Sequence, residues 1–399
     1  MGISEIQKFL EKNKRAKTGL FATILIFIIY QLNSSIYGVS KQNSQYSSNL
    51  PTSDSKKSSI EIFNTPVVRL TDESSLREQL HYQFAYRPNE PLPKYIWQTW
   101  KVHELEDEFP EKFKAFTKEW KELSEGYVYQ LIPDSSVLPL LEKLYASTPR
   151  VIQAYKLLPK PILKADFFRY LLLFAMGGIY SDIDTVLLKN PKEWVSFNET
   201  IYNEPNNVGL VIGIEADPDR PDWNTYYANR VQFCQWTIQA KKGHPALGEI
   251  IAQIVEKTLK KHYDGTIDKV VGKDAGDDIM NWTGPGLFTD SLFKYFNAVK
   301  DYKKDFRLVN PIPPNKYNKN SDDSNEIDWK FFTLMDDNPV LFDDVLILPI
   351  TSFSPGVGHM GSKKISDPTA YVRHMFEGSW KPEDEKHIGK DQKRGKKNH

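Results

Sequence analysis

The stretch KADFFRYLLLFAMGGIYSDIDTVLLK, Lys164 to Lys189, limits this chain more than any other. Leu163, Phe167, Tyr170, Leu171 and Phe174 recur at helical spacing, and Gly177-Gly178 supplies the permissive backbone that ends such a helix. The run Ile179 to Ser181 predicts a short strand. It carries Asp182 and Asp184 into a turn at its C-terminal end, where open α/β sheets place their ligands. Two carboxylates so spaced can hold a hard divalent cation, and oxygen ligands suit magnesium or manganese. Such an ion would be the largest local charge facing a diphosphate leaving group. An isolated Asp-x-Asp also occurs on ordinary solvated turns, so its meaning depends on its surroundings.

Those surroundings alternate strand and helix, the signature of an α/β domain. Tyr95 to Trp100 and Tyr127 to Leu131 read as strands, with amphipathic helices over Glu111 to Leu123 and Ser135 to Tyr145. Val208 to Ile214 and Val345 to Ile350 read as later strands. Val231 to Ala240, Pro245 to Lys260 and Leu287 to Phe296 read as helical, which would put Cys234, the single cysteine, on a helix as a small apolar group. A helix is also expected near Ser74 to Phe84. The catalytic domain is expected over 91–380, with Pro311 to Asp328 a polar surface insertion and 381–399 a charged, solvated tail.

Residues 1–17 are basic and precede an apolar run, Gly19 to Leu32, that extends through Ile36 and Val39. Read as a signal anchor over 18–39, it holds the N-terminus in the cytosol and makes the rest lumenal. A cleaved signal peptide ending near Gly38-Val39-Ser40 is the alternative. Residues 40–90 read as a stem, because the Ser, Asn, Gln and Lys at its start cannot bury a core. Lys plus Arg and Asp plus Glu are both 52, so no whole-chain field points to nucleic acid. One cysteine excludes an intrachain disulfide. Of the sequons at Asn33, Asn198 and Asn281, Asn198 is best placed for glycosylation in a lumenal chain.

Asp166 and Arg169, three apart on the helix, form either an ordinary intrahelical pair or a sugar- and phosphate-binding pair. Trp97 and Trp100 point to opposite faces of their strand, so either one reaches a base at the sheet edge or both pack in the core. His374 precedes Glu377, Ser379 and Trp380; as a neutral imidazole it could complete a metal shell begun by carboxylates, or it is structural. Thr283 to Gly286 is a turn entering a helix. Asp182-Ile183-Asp184-Thr185 also matches the nucleophile motif of haloacid-dehalogenase-like phosphatases, with Asp277-Asp278 or Asp343-Asp344 to serve its metal.

Seven segments in order, PKYIWQTWK from Pro93, ILKADFFRYLLLFAMGGIYSDIDT from Ile162, GLVIGIEADPDRPDW from Gly209, QFCQWTIQAKKGHPAL from Gln232, WTGPGLFTD from Trp282, ILPITSFSPGVGHMG from Ile347 and HMFEGSWK from His374, resemble the fungal Golgi family of initiation-specific α-1,6-mannosyltransferases. The resemblance implies a GT-A-type, Rossmann-like glycosyltransferase fold, GDP-mannose as donor, manganese as the usual ion with magnesium the alternative, and retention of the α configuration. It implies a high-mannose N-glycan acceptor on glycoproteins, and a single-pass type II protein of the Golgi membrane that can assemble with other mannosyltransferases. Carried over by motif, Asp182 and Asp184 would hold metal and diphosphate and Asp166 and Arg169 would line the donor pocket. His374 and Trp380 would close the site, and Trp97 would lie near the base. A paralogous transferase acting on later mannan chains, or a non-catalytic subunit of a mannan-building complex, shares these motifs.

Overall fold

The computed structural model describes residues 74–270, 277–318 and 326–378. The expected cytosolic tail and anchor, the stem as far as residue 73, Trp380 and the tail 381–399 lie outside the described residues. Among the described residues no helix is long and apolar enough to cross a membrane.

In chain order the elements are α1 (Leu76–Gln83), β1 (Tyr95–Trp100), α2 (Glu111–Leu123), β2 (Val128–Pro133), α3 (Asp134–Leu144), α4 (Pro149–Leu157), α5 (Pro161–Met176), β3 (Gly178–Ser181) and β4 (Thr185–Leu187). There follow β5 (Thr200–Ile201), β6 (Glu204–Pro205), β7 (Leu210–Ala216), β8 (Gln232–Phe233), β9 (Thr237–Ala240), α6 (Pro245–Tyr263) and α7 (Asp277–Met280). The last are α8 (Pro285–Tyr302), β10 (Leu308–Val309), β11 (Val340–Phe342), β12 (Val345–Leu348), α9 (Ile350–Phe353) and β13 (Val372–His374).

One mixed sheet has the order β10-β11-β12-β7-β9-β3-β1-β2, with β8 paired to β7. β3, β1 and β2 are mutually parallel, β12 is parallel to β7, and β9 runs antiparallel between β3 and β7. Hence β1, β3, β7 and β12 all end at one edge, and the turn Asp182–Asp184 lies there. Helix α5 delivers the chain to it. Nearly every side chain from Leu163 to Ala175 is buried, so α5 is enclosed on all sides rather than amphipathic. Gly177 (φ 68°) and Gly178 (φ 100°) then reverse the chain into β3 in a conformation that suits glycine, and a Cβ on Gly178 would lie 2.7 Å from Tyr95 O.

Two expectations need correction. Val231 to Ala240 is not a helix: it forms β8 and β9, separated by a turn, and Cys234 lies between them, fully buried, with its N–H bonded to Gly213 O at 2.8 Å. The misreading has a cause. Every residue from Val231 to Lys241 is buried, so no two-residue alternation marks the strands. The folded unit also starts before residue 91. Helix α1 is closed by a capping box, Ser75 with Glu78, and Arg77 reaches Glu249 at 2.6 Å and Glu256 at 2.5 Å on α6.

Behind α1, Tyr86 donates to Asp344 Oδ2 at 2.5 Å, and His244 Nε2 lies 3.3 Å from Asp344 Oδ1. These residues sit at the sheet edge opposite Asp182, before β12 and after β9. Gly209 is required there, because a Cβ would collide with the Tyr86 hydroxyl. Burial alone would raise the Asp344 carboxyl, but His244 and the bonds from His244 and Tyr86 outweigh it and hold it down at about 2. Its contribution to stability is therefore present above its ordinary value of 3.8 and lost as pH falls through about 2. Tyr86→Phe should cost about 1–3 kcal/mol at neutral pH, since it strips a donor from a buried carboxylate, and the gap to wild type should narrow on acidification. Denaturant unfolding near neutrality and in acid measures both effects; a gap that widened in acid would contradict this account.

Candidate active site

The site is built on an ion chain inside the core. Asp166 and Arg169, one helical turn apart on α5, are 1% and 3% exposed. Arg169 Nη2 donates to Asp166 Oδ1 at 2.7 Å, and Nη1 lies 3.2 Å from Asp182 Oδ1 and donates to Gln235 O at 3.1 Å. The guanidinium lies over the Tyr180 ring at 5.0 Å. Thr283 donates to Asp166 Oδ2 at 3.2 Å, and Gln235 Nε2 approaches Oδ1 at 3.4 Å. Burial raises the Asp166 carboxyl and Arg169 opposes it; with each of these partners donating, the site is built for the carboxylate. Arg169 thus joins a buried carboxylate to one at the sheet edge, the Asp182 side chain being 26% exposed.

The acidic turn is fixed by its backbone. Asp182 N–H donates to Trp236 O at 2.8 Å, while Asp182 O accepts from Gln98 Nε2 at 2.9 Å and from the Thr185 hydroxyl at 2.6 Å. Beyond the turn, β4 pairs antiparallel with β13, which sets His374 opposite Thr185. Asp184 then holds the C-terminal segment twice: its carbonyl accepts from Met375 N–H at 2.9 Å and its Oδ2 from Glu377 N–H at 3.0 Å. His374 Nε2 lies 3.4 Å from Asp184 Oδ1, and the Trp236 ring packs on the imidazole with centroids 4.7 Å apart.

Ligand atoms of Asp182, Asp184 and His374 all lie within 4.8 Å of one another. Two carboxylates and an imidazole form a donor set that a divalent cation accepts. Burial raises both carboxyls, opposed by Arg169 at Asp182 and by the Glu377 N–H at Asp184, and pushes His374 down to about 4, which leaves its ring neutral as a ligand must be. One detail constrains the fit. His374 Nδ1 accepts from Phe376 N–H at 2.9 Å, so in this state the ring proton sits on Nε2, facing Asp184. Asp182 and Asp184 fit a cation as they stand; His374 fits by Nε2 once that proton shifts to Nδ1 and the Phe376 bond is released.

The other expected residues divide. Trp97, at 3% exposure, donates to Gly177 O at 2.8 Å and stacks on Tyr95, so no ring face is open to a base and the expectation of a base contact fails. Trp100, partly exposed at the end of β1 and edge-on to Phe113, is the member of that pair that reaches the ligand edge. Asn198 is exposed, as a glycosylation acceptor must be. Asp343 and Asp344, offered as metal ligands in the phosphatase alternative, lie at the opposite edge, bonded to Lys303 and to Tyr86 and His244. They cannot share an ion with Asp182.

Residues 110–201 match the family described as glycosyltransferase sugar-binding region containing DXD motif. The initiation-specific alpha-1,6-mannosyltransferase of Candida albicans is 52% identical, over 78% of this chain and 78% of its own. That of Saccharomyces cerevisiae is 42% identical over 79% of this chain and 83% of its own, and that of Schizosaccharomyces pombe 42% over 75% and 66%. The chain belongs to the initiation-specific α-1,6-mannosyltransferase family.

Sequence reasoning missed Gln235 and Trp236 in this mannosyltransferase-family site. Gln235 accepts from the Tyr170 hydroxyl through Oε1 and from Arg169 through its carbonyl, and Trp236 touches both Asp182 and His374. Reading their segment as a helix hid them. Thr283, read as part of a turn, also bonds Asp166.

His374→Ala should raise the concentration of divalent cation needed for half-maximal activity several-fold, with a smaller effect on melting temperature. Titrations with divalent cations beside melting curves decide the matter, since a purely structural His374 would lower the melting temperature and leave the half-saturating concentration unchanged.

Proposed function

We propose that this chain transfers mannose from GDP-mannose, in α-1,6 linkage and with retention, to the high-mannose N-glycan core of glycoproteins, starting outer-chain elongation. The observation that carries the reading is the 52% identity to a curated transferase of that name over nearly four-fifths of both chains. The cluster of Asp182, Asp184 and His374 at the C-terminal sheet edge supports it, because that is where a GT-A-type domain would receive a nucleotide sugar. In this reading Asp182 and Asp184 hold manganese, with magnesium as substitute. Bound there, a divalent cation supplies counter-charge to a departing diphosphate.

The residues of the chain do the rest. Arg169 fixes Asp182 by its Nη1 while Asp166 anchors the guanidinium from behind, so the carboxylate is pre-aimed before any ligand arrives. Glu377 and Met375 N–H groups fix Asp184 in the same way. Trp236 and Phe376, whose rings pack at 5.5 Å, shield the imidazole side of the site from water.

Asp182→Asn and Asp184→Asn should each lower mannose transfer by at least about 100-fold and weaken metal-dependent GDP binding. For Asp182→Asn the fold should stay largely intact, because its side chain is part-exposed; Asp184→Asn should also loosen the segment 374–377. Incubating wild type and variants with GDP-mannose and defined high-mannose acceptors, with linkage analysis of the product, tests this. Near-normal transfer by either variant in manganese defeats the metal assignment, and a different linkage defeats the acceptor.

We infer further that residues 18–39 anchor the protein in the Golgi membrane with the domain lumenal, from the basic flank and apolar run alone. In sealed vesicles the domain should then survive external protease. Its digestion without detergent would reverse the orientation.

A further inference from the structure

The attacking hydroxyl must give up its proton, and neither Asp182 nor Asp184 is free to take it while holding a cation, whose charge also weakens the departing diphosphate as a base. Two other carboxylates near that edge are committed. Asp217 accepts from Arg230, from the Thr333 hydroxyl and from Leu334 N–H, and Asp166 is locked to Arg169. Glu215 differs from them. It is the penultimate residue of β7, which ends at the same edge as β3, and it is only partly buried among fully buried neighbours. Its bonded partner is a neutral amide, Gln232 Nε2, at 3.0 Å. That amide is itself oriented, because Gln232 Oε1 accepts from Ala228 N–H at 3.1 Å.

The link from Glu215 to the reaction site is short. Residues 232–236 bind Glu215 through Gln232, Arg169 through Gln235 O, and Asp182 N–H through Trp236 O. Between them, the buried Cys234 thiol is pushed up by its burial and by the charges of both Glu215 and Asp182. Burial holds the Glu215 carboxyl up at about 7 against the opposing Gln232 bond, near the value that lets a group gain and lose a proton in neutral solution.

We propose that Glu215 is the carboxylate that engages the acceptor hydroxyl and takes its proton. On the face of the ring from which the diphosphate departs, as retention requires, the hydroxyl oxygen forms its bond to the anomeric carbon of mannose. The bond from that carbon to the diphosphate oxygen breaks, its electron pair leaving on GDP, and the hydroxyl proton passes to Glu215.

This inference rests on the mannosyl-transfer reading, and one set of assays separates the two. With the full-length protein, GDP-mannose and a high-mannose acceptor, the kcat of Glu215→Gln should fall by about 100-fold or more. Its KM for GDP-mannose and its melting temperature should stay close to wild type, because Gln still accepts from Gln232. Glu215→Asp, which retains a carboxylate, should keep more activity than Glu215→Gln. A structural role reverses that order, since Gln preserves size and bonding while Asp shortens the side chain. The proposal is overturned by wild-type kcat in Glu215→Gln, by Glu215→Asp being the weaker enzyme, or by a melting temperature that falls in step with activity. No transfer by the wild-type protein would instead overturn the proposed function itself.

Discussion

Everything at this site depends on an arginine held inside the core between two carboxylates. Burying a guanidinium costs several kcal/mol unless partners surround it. Arg169 finds them in Asp166, Asp182, Gln235 O and the Tyr180 ring, contributed by one helix, one strand, one turn and the connection before β9. Since removing Asp166 from its fully buried pair with Arg169 would cost about 3–5 kcal/mol, the guanidinium is held in place, and its further contacts bring α5, β3 and the β8–β9 segment together around it. Asp166 and Arg169, the two charged residues of α5 that are buried, are therefore the ones that tie the core to the ligand edge.

The sheet turns that local order into an edge with a direction. With β9 reversed between β3 and β7, two groups of strands end on the same side, so Asp182 after β3 and Glu215 near the end of β7 share an edge although separated by more than a whole strand in sequence. The opposite edge is closed by polar contacts of another kind, with Tyr86, His244 and Asp344 joining the segment before β1 to the start of β12. Chemistry and closure are thus assigned to different ends of the same strands.

Much of this was legible in the sequence where one signal dominated. The helix ending at Gly177-Gly178 and the strand YIWQTW were read almost to the residue, because helical spacing, glycine and β-forming residues agreed there. The acidic pair and His374 were found by residue type, but that β13 lays His374 across from Thr185 is a long-range pairing that no local pattern carries. The segment Val231–Ala240 was lost because strands buried on both faces lack alternation. Strand alternation left open whether Trp97 or Trp100 reaches a base, because it predicts a face and not what covers it, and the resemblance that put Trp97 near the base did not carry its burial. Residues 74–90 passed for stem because their anchors, Glu249, Glu256 and Asp344, lie far along the chain.

Cys234 has a consequence of a more practical kind. As the single cysteine, fully enclosed, with its thiol raised by burial and by two carboxylates, it carries almost no thiolate and cannot be reached by reagents while the domain is folded. The natural chain is therefore a silent background for thiol-directed probes. A cysteine introduced on any exposed residue would be labelled alone, without first removing a native one, and labelling of Cys234 itself would report the fraction of molecules that have opened.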